Sequence, residues 1–250
     1  MTNVKLTVAY DGTPFHGWQI QPNVKTIQET IKNAIETITN GTTVNLIGAG
    51  RTDAGVHALG QVANFKTEKL FAEKKWKDAL NALLPEEIMI RRVEFVSSGF
   101  HARYSSIKKS YFYQIGLKRS PFLFKKEWTI LYPLNVSAMK KAVSYLIGKH
   151  DFSSFASSAS ESESKICHLM KVEFFKEKEG LKIRLTADRF LTHMVRTIIG
   201  TLVEIGSGKI RPKDMKAILE FRDRSTAGKT APPHGLYLEK VSYPKHFTLA

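Results

Sequence analysis

The apolar residues of this chain switch between two periods, and they do so twice, which narrows the folds open to it. Residues 3–10, NVKLTVAY, alternate apolar and polar side chains as a half-buried strand does. KTIQETIKNAIETI at 25–38 then places Ile27, Ile31, Ala34, Ile35 and Ile38 on one helical face, and Thr26 followed by Glu29 has capping-box spacing. TVNLIGAG and QVANFKT predict two further strands. Residues 69–84 predict a helix through Trp76, Leu80, Leu83 and Leu84 that stops before Pro85. IMIRRVEFV returns as a strand.

The succession then repeats. SYFYQIGL is strand-like, and VSAMKKAVSYLIG predicts an amphipathic helix through Met139, Val143, Leu146 and Ile147. LMKVEFFKE and GLKIRLTA predict a hairpin around KEKEG. The strongest helical stripe follows, through Leu191, Met194, Val195, Ile198, Ile199, Leu202 and Val203, with Gly206 near its end. Two such halves predict an α+β protein of two similar subdomains, residues 1–104 and 105–250, forming a central, mainly antiparallel sheet with helices on one face. Residues 153–164, SSFASSASESES, are low in complexity and predict a mobile loop.

Charge identifies the kind of partner. Thirty-eight Lys and Arg against 23 Asp and Glu leave a formal +15 over 250 residues, spread in pairs such as Lys74-Lys75, Arg91-Arg92, Lys108-Lys109 and Lys125-Lys126. With no basic tail, the positive potential belongs to the folded surface, which favours a polyanion. An anionic membrane is the rival, but the sequence offers no basic amphipathic helix of the interfacial type. No apolar run approaches the roughly 20 residues that span a bilayer, and MTNVKLTVAYDG lacks the parts of a signal peptide. The single cysteine, Cys167, excludes an internal disulfide framework and suits a reducing cytoplasm. The histidines show no spacing that would make a zinc site. Nucleic acid is the expected partner.

One stretch carries chemistry. GAGRTDAGVHALGQVANF at 48–65 crowds Gly48, Gly50 and Gly55 around Arg51 and Asp53. A dinucleotide fingerprint would need a third glycine where Asp53 stands, and a helix where the sequence alternates instead. AGKT at 227–230 resembles the end of a phosphate loop, yet Asp223 occupies the position of its first glycine and APP follows where a helix should start. A nucleotide cofactor is therefore not expected. The glycines alone suit a tight strand connection. Arg51 and Asp53, two apart in an extended stretch, point to one side, and a carboxyl group near guanidinium groups stays ionised at neutral pH. That suits a nucleophile or a charge stabiliser better than a general acid; an Asx turn with a solvated arginine is the plain alternative.

GAGRTDAGVHALGQVANF resembles the signature of the tRNA pseudouridine synthase A family. Further matches follow in order: YDGTPFHGWQIQP at 10–22, FHARYSS at 100–106, KSYFYQI at 109–115, GKHDFSSF at 148–155, FLTHMVRTIIG at 190–200 and TAGKTAPPHGLYL at 226–238. The resemblance thus spans nearly the whole chain. It implies cleavage of the N1–C1′ bond of uridine, rotation of the uracil and joining of C5 to C1′, with no cofactor. By residue match, Asp53 is the essential carboxylate, and Arg196 is the basic residue paired with it. Tyr111 is the active-site tyrosine, suited to stacking on a flipped base, although Tyr113 shares its strand face. Arg51 is assigned to the RNA backbone or the flipped nucleotide. Whether Asp53 attacks C1′, adds to C6 or removes a ribose proton stays open. His57 and His193 are read as structural hydrogen-bonders and Asp11 as a turn residue. The family further implies an RNA-binding cleft between the halves, a homodimer, and tRNA uridines 38, 39 and 40 of the anticodon stem-loop as targets. The alternatives are another tRNA or rRNA site, or a non-catalytic RNA-binding or chaperone protein, which would need none of Asp53, Tyr111 and Arg196.

Overall fold

The structure, a computed structural model, describes residues 1–158 and 163–247. In chain order these form β1 (Thr2–Tyr10), α1 (Ile27–Ile38), β2 (Ile47–Gly48), β3 (His57–Thr67), α2 (Glu73–Leu83), β4 (Ile88–Val96), β5 (Lys108–Gly116), β6 (Trp128–Thr129), α3 (Val136–Val143), β7 (Gly148–Asp151), β8 (Ile166–Glu177), β9 (Gly180–Ala187), α4 (Met194–Gly206), α5 (Asp214–Phe221) and β10 (Leu236–Ser242). The chain is α+β, and its strand pairing is mainly antiparallel. It divides into two compact units, Met1–Ile107 with the segment from Tyr237 on, and Lys108–Leu236. The last strand of the expected second half therefore belongs to the first unit. The reason is its pairing: Tyr237 and Leu238 run parallel to His57 and Ala58 of β3. No helix among the described residues is long and apolar enough to cross a membrane.

In the first unit β1 lies between β3 and β4, antiparallel to both. Its stripe Val4, Leu6, Val8 and Tyr10 is buried, as the alternation predicts. Central β3 is buried on both faces apart from Leu59 and Lys66, which explains why its sequence reads less cleanly. Helix α1 starts where the cap sequence places it, with the Thr26 hydroxyl accepting from the Glu29 N–H at 3.4 Å. Ile27, Ile31 and Ile35 are fully buried, each contributing roughly 1.5–3 kcal/mol on transfer from water. Helix α2 packs on β4 and α1 around Trp76, which meets Phe65 edge-on at 5.3 Å. It ends as predicted, because Leu84, before Pro85, is extended.

The predicted strand TVNLIGAG shrinks to two residues. Its backbone is diverted to α1 side chains: the Val44 N–H donates to Glu36 Oε1 at 3.2 Å and the Leu46 carbonyl accepts from Gln28 Nε2 at 2.8 Å. A buried amide network also pins the FHARYSS segment. Asn64 donates to the Asn3 side chain at 2.9 Å and accepts from the Ala102 N–H at 2.8 Å.

In the second unit β9 lies between β5 and β8, and β7 extends β8. The predicted hairpin is present, closing at Glu177 opposite Gly180. Helix α3 packs on α4 and α5. The predicted loop at 153–164 begins differently: Ser153–Phe155 form a 3-10 turn with Phe155 fully buried, and the Ser154 hydroxyl donates to the Ile218 carbonyl at 2.6 Å. The remainder of that expectation falls partly on 159–162, outside the described residues.

Cys167, on β8, is buried, and that burial pushes its thiol up to about 11. Native protein at pH 8 should therefore react with iodoacetamide far more slowly than protein unfolded in urea. Equal rates in the two states would show that the thiol is exposed and contradict this packing.

Candidate active site

Asp53 sits in the loop between β2 and β3, and three kinds of contact fix that loop. Its entry is held to β3 by one backbone and one side-chain bond: the Ala49 N–H donates to the Val62 carbonyl at 2.7 Å, and Gln61 Nε2 donates to the Gly50 carbonyl at 2.9 Å. The turn at its tip is local, with the Val56 N–H donating to the Asp53 carbonyl at 3.1 Å and Gly55 at φ +75. The third contact is a second loop, residues 12–18, lying against the first. There the Trp18 N–H donates to the Thr52 carbonyl at 3.1 Å, and the Gly55 N–H to the Phe15 carbonyl at 3.4 Å.

Gly17 makes that approach possible. Its φ is +86, and a Cβ there would stand 2.5 Å from the Thr52 carbonyl oxygen, so no side chain fits without moving the loop. Phe15 and Trp18, on either side, are buried and anchor the second loop in the core. The motif YDGTPFHGW thus serves as the bed on which RTDAG rests.

Side-chain directions follow the extended alternation. Thr52 turns inward, where its hydroxyl lies 2.8 Å from that of Tyr10. Burial drives the Tyr10 phenol well above its ordinary range, so it stays protonated. Arg51 is exposed, and its Nε donates to Gln19 Oε1 at 3.1 Å. Asp53 is half-buried. His57 is buried, accepts from the Gly12 N–H at 3.1 Å and stacks on Tyr237 at 4.6 Å. Asp11 forms an Asx turn, accepting from the Thr13 N–H at 3.0 Å. Both match their structural reading.

In the second unit the residues singled out by the sequence lie on β5 and α4. Tyr113 is the core residue of the tyrosine pair: it is fully buried and its hydroxyl donates to the Pro232 carbonyl at 2.7 Å. Tyr111 keeps 8% of its surface exposed and meets Phe190 edge-on at 5.2 Å. Every residue of α4 is buried except Arg196 and Glu204. Both serve the segment laid along the helix. Arg196 Nε donates to the Ala231 carbonyl at 2.8 Å, the Ala231 N–H donates back to the Arg196 carbonyl at 3.0 Å, and the Glu204 carboxylate accepts from the Lys229 N–H at 3.3 Å. Gly200 permits the contact, since a Cβ there would fall 1.6 Å from the Lys229 carbonyl oxygen. Nearby His234 is held below its ordinary range by burial, with the Lys125 and Arg196 cations adding to the effect against a hydrogen bond to the Glu127 backbone. Its imidazole is therefore neutral at pH 7.

The four residues singled out by the sequence thus fall as two pairs, Arg51 and Asp53 in the first unit and Tyr111 and Arg196 in the second. Reading the sequence alone assigns no role to the parts that hold the Asp53 loop, Gly17, Trp18, Tyr10 and Gln61, or to Glu204, which binds the same 227–231 segment as Arg196. The available signals are Gln61, a carboxamide inside an alternating apolar run, and the matching stretch YDGTPFHGWQIQP, which contains Tyr10, Gly17 and Trp18. Among the described residues no group of three or more His, Cys, Asp and Glu is placed to hold a metal ion.

A family model described as tRNA pseudouridine synthase matches residues 6–105 and 142–244. Those segments contain Arg51, Asp53 and Arg196, while Tyr111 lies between them. The chain belongs to the tRNA pseudouridine synthase family. Among full-length relatives, a protein named tRNA pseudouridine synthase A from Thermoanaerobacter sp. strain X514 is 48% identical over 246 residues, covering 97% of this chain and 100% of its own. One of the same name from Caldicellulosiruptor saccharolyticus is 46% identical, with coverage of 97% and 100%. Another from Bacillus subtilis strain 168 is 41% identical, with coverage of 96% and 98%.

The contact at Gly17 separates strain from collision. Gly41 has nearly the same φ, +84, with nothing within 4 Å of the point where a Cβ would stand. Gly41→Ala should cost about 1 kcal/mol or somewhat more from backbone strain alone. Gly17→Ala should cost more, about 2–4 kcal/mol, because the Thr52 carbonyl must also move. Urea unfolding midpoints check this, and equal losses at the two positions would contradict the close packing of the two loops.

Proposed function

We propose that this chain converts uridine to pseudouridine in tRNA, with Asp53 as the carboxylate on which turnover depends. The observation that carries the reading is the Asp53 loop itself: a half-buried carboxylate on backbone clamped by a second loop through Trp18 and Gly17. A reacting group must be held still to act on a substrate that has to be turned within the site. The reaction breaks the N1–C1′ bond and forms a C5–C1′ bond in the same nucleoside. C5 gives up its proton and N1 gains one, so atoms and oxidation state balance without a co-substrate.

Arg196 is proposed as the second catalytic residue, a cation on α4, and Tyr111 offers a ring to the extruded base. Arg51, on the exposed side of the loop, meets the RNA backbone. The proposed targets are uridines 38, 39 and 40 of the anticodon stem-loop, and the proposed assembly is a cytoplasmic homodimer with one tRNA held by both basic surfaces. The excess of 38 basic over 23 acidic residues supports a phosphate-rich partner. Retention of Asp53, Tyr111 and Arg196 together favours catalysis over RNA binding alone.

Asp53→Asn should lower pseudouridine formation by about 1000-fold or more while leaving tRNA affinity within a few-fold. Turnover surviving in this variant, or affinity lost in parallel, would remove Asp53 from the proposed role. In the same binding assay, affinity should fall linearly on logarithmic axes as salt rises, with a slope of about −0.7 to −0.9 per phosphate contacted. A flat response would contradict a surface that binds through phosphates.

A further inference from the structure

Three polar side chains are buried immediately behind the proposed catalytic loop. Tyr10 is 5% exposed, Thr52 7% and Gln61 0%. The Tyr10 and Thr52 hydroxyls lie 2.8 Å apart, and Gln61 Nε2 donates to the Gly50 carbonyl at 2.9 Å. The carboxamide oxygen of Gln61 accepts from the Val62 N–H at 3.1 Å. Every polar atom of the trio is thereby engaged.

Such a cluster costs more to bury than apolar residues of the same size. Tyr10 ends the stripe Val4, Leu6, Val8, where a phenylalanine would fill the space without a hydroxyl. Gln61 stands opposite Val8 of β1, where a leucine or methionine would pack. Stability of the sheet therefore gives no reason for these groups. What they share is their target: the two sheet residues bind Gly50 and Thr52, the residues that lead directly into Asp53.

We propose that Tyr10 and Gln61 are positioning residues, which reach from β1 and β3 to fix residues 50–52 and so set the direction of the Asp53 carboxylate. Neither touches substrate; both act through the loop. A fully satisfied buried network holds one geometry where an apolar contact would tolerate several, and a misplacement of about 1 Å at a reacting group lowers a rate by as much as 100-fold. The inference rests on Asp53 being the catalytic carboxylate.

The test is single-turnover pseudouridine formation, with tRNA affinity and urea midpoint measured on the same samples. Tyr10→Phe removes one hydroxyl and keeps the ring. It should lower the single-turnover rate roughly 10- to 100-fold with tRNA affinity unchanged within about 3-fold. Thr52→Val, which removes the other hydroxyl, should give the same loss, and the double variant no more than either alone. Thr52→Ser, which restores the hydroxyl, should recover most of the rate. A rate within 2-fold of wild type in Tyr10→Phe and Thr52→Val would overturn the proposal, as would a rate loss that Thr52→Ser shares. Asp53→Asn measured in parallel separates the two claims. If it turns over normally, the assignment of Asp53 fails; if it is inactive while Tyr10→Phe is fully active, only the positioning role fails.

Discussion

The hydrogen bond from the Trp18 N–H to the Thr52 carbonyl, 3.1 Å long, joins the two loops on which the proposed role of Asp53 depends. Neither loop is regular structure, so neither inherits rigidity from a helix or a ladder. Their rigidity comes from each other and from the core below. Trp18 and Phe15 anchor one loop, Tyr10 and Gln61 anchor the other, and Gly17 lets the two backbones come within a distance that any side chain would forbid. The consequence is an acidic residue that is accessible and still held in place, which is the combination a reacting carboxylate requires.

The second unit reaches a similar result by another route. Helix α4 is buried nearly all round, which would ordinarily leave no room for charge. Its two charged residues are accommodated because the 227–231 segment supplies backbone partners to both, and because Gly200 lets that segment lie directly on the helix. Arg196 is thereby oriented through its Nε by the Ala231 carbonyl. In both units a close backbone contact at a glycine turns a strand-and-helix scaffold into a mount for one charged side chain.

Much of this is legible in the residues, for reasons that differ by element. Strand β1, helix α1 and strand β9 each bury one face, so their periods are clean and their limits fall close to prediction. Strands β6 and β7 have two and four residues, too few for a period to register. Helix α5 is no shorter than α3 and buries Met215, Ile218 and Leu219 at helical spacing, so it lies within reach of the sequence, although no helix is predicted there. Strand β10 is hidden differently, because its place beside β3 is a long-range pairing that no local pattern encodes. The Asp53 loop is visible through its glycines and its paired charges. Its supports are not: a tyrosine at the end of an apolar stripe and a glutamine in a strand show their purpose only when their partners at 50 and 52 are seen. The resemblance to a known family supplies Arg196 and Tyr111, which their periodicity alone would leave as a helix flank and a core aromatic.

In the proposed isomerisation C5 of uridine exchanges its hydrogen for a bond to C1′. The most direct measurement is tritium release from transcribed tRNA whose uridines carry tritium at C5, with uridine in the anticodon stem-loop confined to positions 38, 39 and 40. Release by the native protein should stop at the number of those uridines and vanish when all three are replaced by cytidine. Tight binding with no release, or release that persists after that replacement, would contradict the proposal, the first by denying the reaction and the second by denying the site.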